Sequence, residues 1–363
     1  ISEIETFPLI GLPDITLWAI IATMSLETVL DQIERDPQLA RRITRWQHLP
    51  PRPARYADYP AGVDRRLVEA LRGHGIERPY RHQAKAVEAA LRGQNVVVVT
   101  PTASGKTLCY NLPVLNALVA DREARALYLF PTKALAQDQL VELGALRAAL
   151  DPVPSFPPVN GGDRGNGIGE VHTYDGDTPP SARPRIRKTA QIVISNPDML
   201  HAGILPHHTR WARFFGGLRY VVLDEMHTYR GIFGSHVANV LRRLKRVCAF
   251  YGASPQFICA SATIANPLDL AERLVEARFT LVGVEEDGSP QGGKHFLFYN
   301  PPIVDRELGI RRSPVTDARL LAERYLEAGI QTIVFARARR TTELLLTYLR
   351  DAAQREGLLP GGV

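Results

Sequence analysis

The run Asn95-Val-Val-Val-Val99 leads directly into Thr100-Pro101-Thr102-Ala103-Ser104-Gly105-Lys106-Thr107, and a helix-compatible stretch begins at Leu108. A buried strand feeding a Gly-Lys-Thr turn at a helix start confines the fold to the α/β class with a parallel sheet. It is also the arrangement that grips a nucleoside triphosphate. Main-chain N–H groups and the positive helix end hold the phosphates, Lys106 reaches the β/γ oxygens, and Thr107 ligates Mg²⁺. Thr100 stands where the strict pattern has glycine, so the loop needs support from elsewhere in the chain.

Three further segments give that support. Tyr220-Val-Val-Leu223 ends in Asp224-Glu225-Met226-His227, placing two adjacent carboxylates at the carboxyl end of an apolar strand, where open α/β sheets bind ligands. Such a pair suits divided labour: Asp224 holds Mg²⁺ and Glu225 orients and deprotonates the attacking water. A solvated acidic pair is the bland alternative, and the phosphate loop upstream disfavours it. Phe257-Ile-Cys-Ala260 similarly ends in Ser261-Ala262-Thr263, and Tyr128-Leu-Phe-Pro131 runs into a helix with Thr132 and Lys133 at the junction. Helix starts and short hydroxyl side chains bind phosphates without reading bases.

The ordered set Gln83, Thr100–Thr107, Pro131–Leu135, Asp177-Thr178, Ser195-Asn196-Pro197-Asp198, Asp224–His227 and Ser261–Thr263 resembles the first motor domain of superfamily 2 helicases, on the DEAH/DExH side of the DEAD/DEAH-box group. Asp224-Glu-Met-His-Thr-Tyr-Arg-Gly-Ile-Phe-Gly-Ser-His236 and Trp46-Gln-His-Leu-Pro-Pro-Arg52 resemble in particular the Hrq1/MrfA (YprA-type) DNA repair helicases. The resemblance implies that Gln83 reads the adenine edge, and that His227, Ser261 and Thr263 couple hydrolysis to movement. It further implies that Thr132, Lys133, Asp177, Thr178, Ser195, Asn196 and Pro197 lie along a nucleic-acid backbone. ATP and Mg²⁺ are the implied cofactors, and single-stranded or tailed duplex DNA is the implied partner. The implied activity is ATP-dependent DNA unwinding or translocation with 3′-to-5′ polarity, in DNA repair.

Composition agrees with a polyanion partner, at net charge +6 and pI ≈ 9.3. Arg183, Arg185, Arg187 and Lys188, and the run Arg242-Arg243-Leu-Lys245-Arg246, are candidate contacts or solvated helix faces. Cys109, Cys248 and Cys259 are scattered without metal-ligand spacing, as expected of inert thiols in a reducing cytoplasm. The histidines show no zinc pattern, and His207-His208 reads as a solvated pair. Gly165-Asn-Gly-Ile-Gly169 reads as a surface loop, with no strand before it.

Strand–helix alternation predicts a RecA-like doubly wound parallel sheet, with strands near 95–100, 126–130, 170–174, 191–195, 219–224 and 256–261. Residues 1–23 read as a non-family extension, too short and interrupted in its apolar stretch to span a bilayer. Residues 24–75 form a mostly helical leader, 76–285 the ATP-binding first lobe, 286–313 a linker, and 314–363 the incomplete start of a second RecA-like lobe whose first strand is Gln331–Ala336. No Gln-x-x-Gly-Arg-x-Gly-Arg segment occurs. The chain therefore reads as a fragment that binds ATP but hydrolyses it poorly, its missing C-terminal remainder being a partner.

Three rivals compete with this reading. An RNA helicase of the same superfamily would share every backbone-tracking motif. A phosphate-loop kinase or GTPase would give Pro131–Leu135 and Ser261–Thr263 no role. An inactive nucleic-acid-binding module would gain nothing from Lys106, Asp224 and Glu225.

Overall fold

A computed structural model describes residues 24–150 and 169–355. The expected extension at 1–23 and the glycine-loop residues 165–168 lie outside the described residues. Chain contacts divide the molecule into two units, residues 51–292 and residues 1–50 together with 293–363. The described strands are, in chain order, β1 (Ile43–Leu49), β2 (Val96–Val99), β3 (Arg125–Leu129), β4 (Glu170–Thr173), β5 (Ala190–Ser195), β6 (Leu218–Leu223), β7 (Gln256–Ser261), β8 (Thr280–Val282), β9 (Lys294–Tyr299), β10 (Ile303–Asp305) and β11 (Ile310–Arg311).

In the 51–292 unit, seven strands form one sheet in the order β4-β5-β3-β6-β7-β2-β8, every neighbour pair parallel. Parallel pairing demands crossover connections, and the helices that supply them cover both faces. Successive strand residues therefore enter different cores. Val97, Val99, Leu127, Leu129, Val221 and Leu223 face one side with helices Gly231–Phe250 and Pro267–Val275. Val96, Val98, Ala126, Tyr128, Ile192 and Val222 face the other with helices Arg81–Leu91, Lys106–Ala120 and Lys133–Leu150. That double burial is why β2 is four consecutive valines with no polar alternation.

Residues of the second unit pair β1 with β9 in an antiparallel ladder. Ser25 caps helix Leu26–Arg35, its hydroxyl accepting the Thr28 N–H at 3.2 Å. Val29 and Ile33 of that helix pack with Leu39 and Ala328 against Trp46, Leu297 and Tyr299.

Six strands of the large sheet fall where the sequence predicts them, to within one residue at each end. Three features differ. The leader is not wholly helical, since Ile43–Leu49 is a strand; the expected linker contains β9, its partner. Thr280–Val282 adds a seventh strand beside β2. Gln331–Ala336 is apolar enough for a strand yet pairs with nothing among the described residues, leaving Ile333 73% and Phe335 90% exposed. A strand exists only as part of a ladder, so composition alone could not make one there. Among the described residues no helix is long and apolar enough to cross a membrane.

Candidate nucleotide and nucleic-acid site

Parallel register brings the motif residues to one edge of the sheet. Val99 stands opposite Ser261, Leu129 opposite both Leu223 and Ser195, and Leu223 opposite Cys259. Each motif begins where one of these strands ends, so Thr100, Thr132, Asn196, Asp224 and Ala262 emerge together at the carboxyl edge.

The phosphate loop turns into helix Lys106–Ala120 through Gly105, at φ +74°. The positive φ favours glycine, and a Cβ there would lie 2.7 Å from Gln83 Nε2 and displace that amide. Ala103 holds φ +60° without being glycine, a strained conformation of the kind kept at ligand-binding loops. The Lys106 ammonium donates to the Thr100 and Pro101 carbonyls, at 3.0 Å each. The Thr100 and Ser104 hydroxyls, both buried, lie 2.6 Å apart. The loop thus holds its lysine at its own centre, where it would exchange carbonyl partners for phosphate oxygens.

Gln83 is nearly buried, and both ends of its amide are engaged. Oε1 accepts the Tyr80 N–H at 2.7 Å, while Nε2 donates to the Gly105 carbonyl at 2.8 Å. It therefore ties helix Arg81–Leu91 to the phosphate loop, keeping one lone pair and one N–H in reserve.

Asp224 accepts the Glu225 N–H at 2.7 Å on Oδ1 and the Tyr110 hydroxyl at 2.9 Å on Oδ2. Burial pushes its carboxyl above the ordinary value; the two hydrogen bonds pull the other way without offsetting it. Glu225 sits at φ +48°, and its Oε2 lies 3.1 Å from His227 Nδ1. Ser261 is fully buried with its hydroxyl turned to the Ala262 carbonyl at 2.8 Å, whereas Thr263 is exposed. Thr107 is half-buried at the first turn of its helix.

The residues expected along nucleic acid divide into two groups. Thr132, Lys133 and Asp177 are exposed, and the Lys133 ammonium pairs with the Asp177 carboxylate. Lys133, Asp177 and Thr178 line a cleft of about 500 Å³ with His172 and Ile186. The other four are used internally. Ser195, only 3% exposed, donates its hydroxyl to the Tyr174 carbonyl at 2.6 Å. Thr178 closes a turn with Asp175. Asn196 Oδ1 caps the next helical turn through the Met199 N–H at 2.7 Å, and Pro197 is buried behind it. These four shape the loops at the sheet edge.

The basic clusters are likewise partly spent. Arg185 pairs with Glu170, Arg183 stacks over Tyr174, and Arg242 pairs with Glu276. His208 is not a free solvated side chain: its Nδ1 lies 2.9 Å from the Tyr251 hydroxyl. The three thiols are buried, and burial raises the proton affinity of each.

Sequence reasoning missed Tyr110. It lies four residues after Lys106 on the same helix, so i, i+4 spacing could have placed it beside the phosphate-loop lysine.

A parallel sheet with a phosphate loop and an acidic pair at its carboxyl edge defines a RecA-like nucleotide-binding lobe. The family model of the DEAD/DEAH box helicase matches residues 80–270, more than half of the chain, and the chain belongs to that family. It is 48% identical over 329 residues to the uncharacterized ATP-dependent helicase YprA of Bacillus subtilis, covering 90% of this chain and 41% of that protein. It is 39% identical to the ATP-dependent helicase HRQ1 of Saccharomyces cerevisiae, covering 82% of this chain and 27% of that protein. A crystal structure of the DUF1998 helicase MrfA bound to DNA and AMPPNP matches with TM-score 0.83 and 46% identity, over 92% of this chain and 44% of that one. The chain thus spans less than half the length of the relatives it matches.

Proposed function

We propose that this chain carries the nucleotide-binding part of an ATP-dependent DNA helicase or translocase with 3′-to-5′ polarity, working in DNA repair in the cytoplasm. The observation that supports this most is the convergence of Lys106, Thr107, Asp224, Glu225 and Ser261 at the ends of three adjacent parallel strands. The DNA and AMPPNP in the MrfA structure favour the same partners here.

Main-chain N–H groups at the start of helix Lys106–Ala120 would hold the triphosphate, with Lys106 as counter-charge. Gln83 has the spare donor and acceptor needed for a bidentate contact with adenine. The Asp224 carboxylate and Thr107 hydroxyl are hard oxygen donors of the kind Mg²⁺ takes alongside phosphate and water, and these two would hold it. Held there, the metal would supply positive charge to the phosphate oxygens. Glu225 orients and deprotonates the attacking water, with His227 beside its carboxylate as the link to motion. Thr132 and Lys133 contact the nucleic-acid backbone from the exposed start of their helix.

Glu225→Gln tests the chemistry because it keeps shape and hydrogen bonding while removing the base. In the full-length protein ATP binding should persist while DNA-stimulated turnover falls by at least about 10²-fold. Turnover near the parent rate would remove Glu225 from the catalytic role. Duplexes with 3′ or 5′ tails, made in DNA and in RNA, test polarity and sugar preference in the same assay.

A further inference from the structure

Below the phosphate loop lies a buried ionic cluster that none of the motifs accounts for. Segment 51–57 and segment 285–291 run side by side, with Arg52 and Gln291 exchanging main-chain hydrogen bonds at 2.8 and 2.9 Å. The Arg52 guanidinium pairs with Asp287, whose side chain is fully buried. Asp287 Oδ1 also accepts the Ser289 N–H at 2.9 Å and the Ser289 hydroxyl at 2.7 Å. Burial alone would raise the Asp287 carboxyl; the Ser289 bonds and Arg52 outweigh it and hold the carboxyl below its ordinary range.

His82 joins this cluster to the nucleotide loop. Its imidazole is fully buried, 3.6 Å from Asp287 Oδ1, and Nδ1 accepts the Gly288 N–H at 3.2 Å. Nδ1 is therefore the unprotonated nitrogen, and the proton sits on Nε2. That nitrogen is buried without a hydrogen-bond partner. Burial keeps the imidazole neutral against the pull of Asp287. Tyr80 stacks on the same ring, with centroids 6.0 Å apart. The seat admits nothing larger than glycine at 288, where a Cβ would lie 2.3 Å from the Arg55 carbonyl and 2.7 Å from the Arg81 nitrogen. Arg55 and Arg81 are themselves joined, N–H to carbonyl, at 2.9 Å.

We infer that Arg52, Asp287 and His82 form a latch that positions the phosphate loop, with His82 as the positioning residue that fixes the start of helix Arg81–Leu91, from which Gln83 reaches Gly105. Segments 51–57 and 285–291 anchor the ring through Gly288 and Asp287. Gln83 holds the same loop at Gly105 from the next position in the chain. The latch preorganises the loop, so its loss weakens nucleotide binding without touching the exposed nucleic-acid cleft at Lys133. This inference rests on the nucleotide-site reading above.

Titration of the chain with a fluorescent ADP analogue, and separately with a labelled oligothymidylate, tests it. His82→Leu keeps the volume and loses both ring hydrogen-bonding positions; His82→Gln keeps one acceptor and one donor. His82→Leu should weaken nucleotide binding about tenfold, the scale of one buried hydrogen bond. His82→Gln should restore most of the affinity, and oligothymidylate affinity should stay at the parent value in both. Nucleotide affinity unchanged by His82→Leu, or equal losses for nucleotide and oligothymidylate, overturns the latch. If His82→Leu shows no cooperative melt, Arg52→Gln at the half-exposed end takes its place with the same expected pattern. Lys106→Ala separates the two readings. If it too leaves nucleotide affinity intact, the phosphate-loop assignment fails and the latch with it. If it weakens binding while His82→Leu does not, the latch alone fails.

Discussion

Asp224 shows what the site demands of a single residue. Its carboxyl is held above its ordinary value mainly by burial, despite the Tyr110 hydroxyl and the Glu225 N–H. A carboxyl that releases its proton later in the folded chain than in the unfolded one costs stability once ionised. That cost is present at neutral pH and disappears as pH falls through the raised value. Asp224→Asn keeps an acceptor for Glu225 N–H and a donor for Tyr110, so without nucleotide it should melt higher than the parent at pH 7.5. The difference should shrink toward acid pH in thermal melts, and an Asn variant that melts lower at pH 7.5 would contradict this. The motif residues themselves were legible because each stands at a strand end within a short, recognisable string. His82 and Asp287 were not, since their partners Gly288 and Arg52 lie 206 and 235 positions away in the chain. Ser195 and Thr178 show what a motif string hides: the Ser195 hydroxyl donates to the Tyr174 carbonyl beyond the neighbouring strand, and the Thr178 hydroxyl accepts the Asp175 N–H in its own turn.

At the level of elements, β4 is held at the sheet edge by an ion cluster as much as by its ladder. Glu170 accepts from Arg185 at 2.7 Å and His172 at 2.8 Å, and from the Thr189 hydroxyl. Burial would raise its carboxyl, but these partners bring it down to about 2. The folded value is depressed, so the stabilisation is complete above the unfolded pKa and is lost as pH falls toward the folded one. Glu170→Gln should therefore destabilise the chain by about 1.5–3 kcal/mol at neutral pH, the scale of hydrogen bonds to a charged group. The loss should fade below about pH 4, where the parent's advantage is also vanishing; urea titrations at pH 7 and pH 3.5 measure both. The long doubly buried strands were readable as apolar runs. Thr280–Val282 was too short to signal itself, and Ile43–Leu49, with Arg45 and Gln47 on one face and His48 on the other, has no one-sided apolar pattern. Its existence depends on Lys294–Tyr299, which no local rule could supply.

Across the whole molecule, the chain enters the 51–292 unit and leaves it through neighbouring segments. That unit holds both faces of the seven-stranded sheet and every motif from Gln83 to Thr263. Residues 51–292 produced alone should therefore melt in one cooperative transition and bind the fluorescent nucleotide with affinity close to that of the 363-residue chain. A loss of cooperative melting would show that the sheet needs residues outside this range.

The same topology sets an order of events during synthesis. Residues 24–50 leave the ribosome well before their partner, the strand that completes Ile43–Leu49 being about 250 residues behind, roughly 10–50 s at ordinary elongation rates. The central unit gains its last contacts only at the end of that interval, as segment 285–291 is made. Trp46, Val29 and Ile33 spend it without the Leu297 and Tyr299 side chains that finally cover them. A nascent chain of this kind carries uncovered apolar surface ahead of the central unit, and any holding factor it needs must act there, before the nucleotide site is even finished.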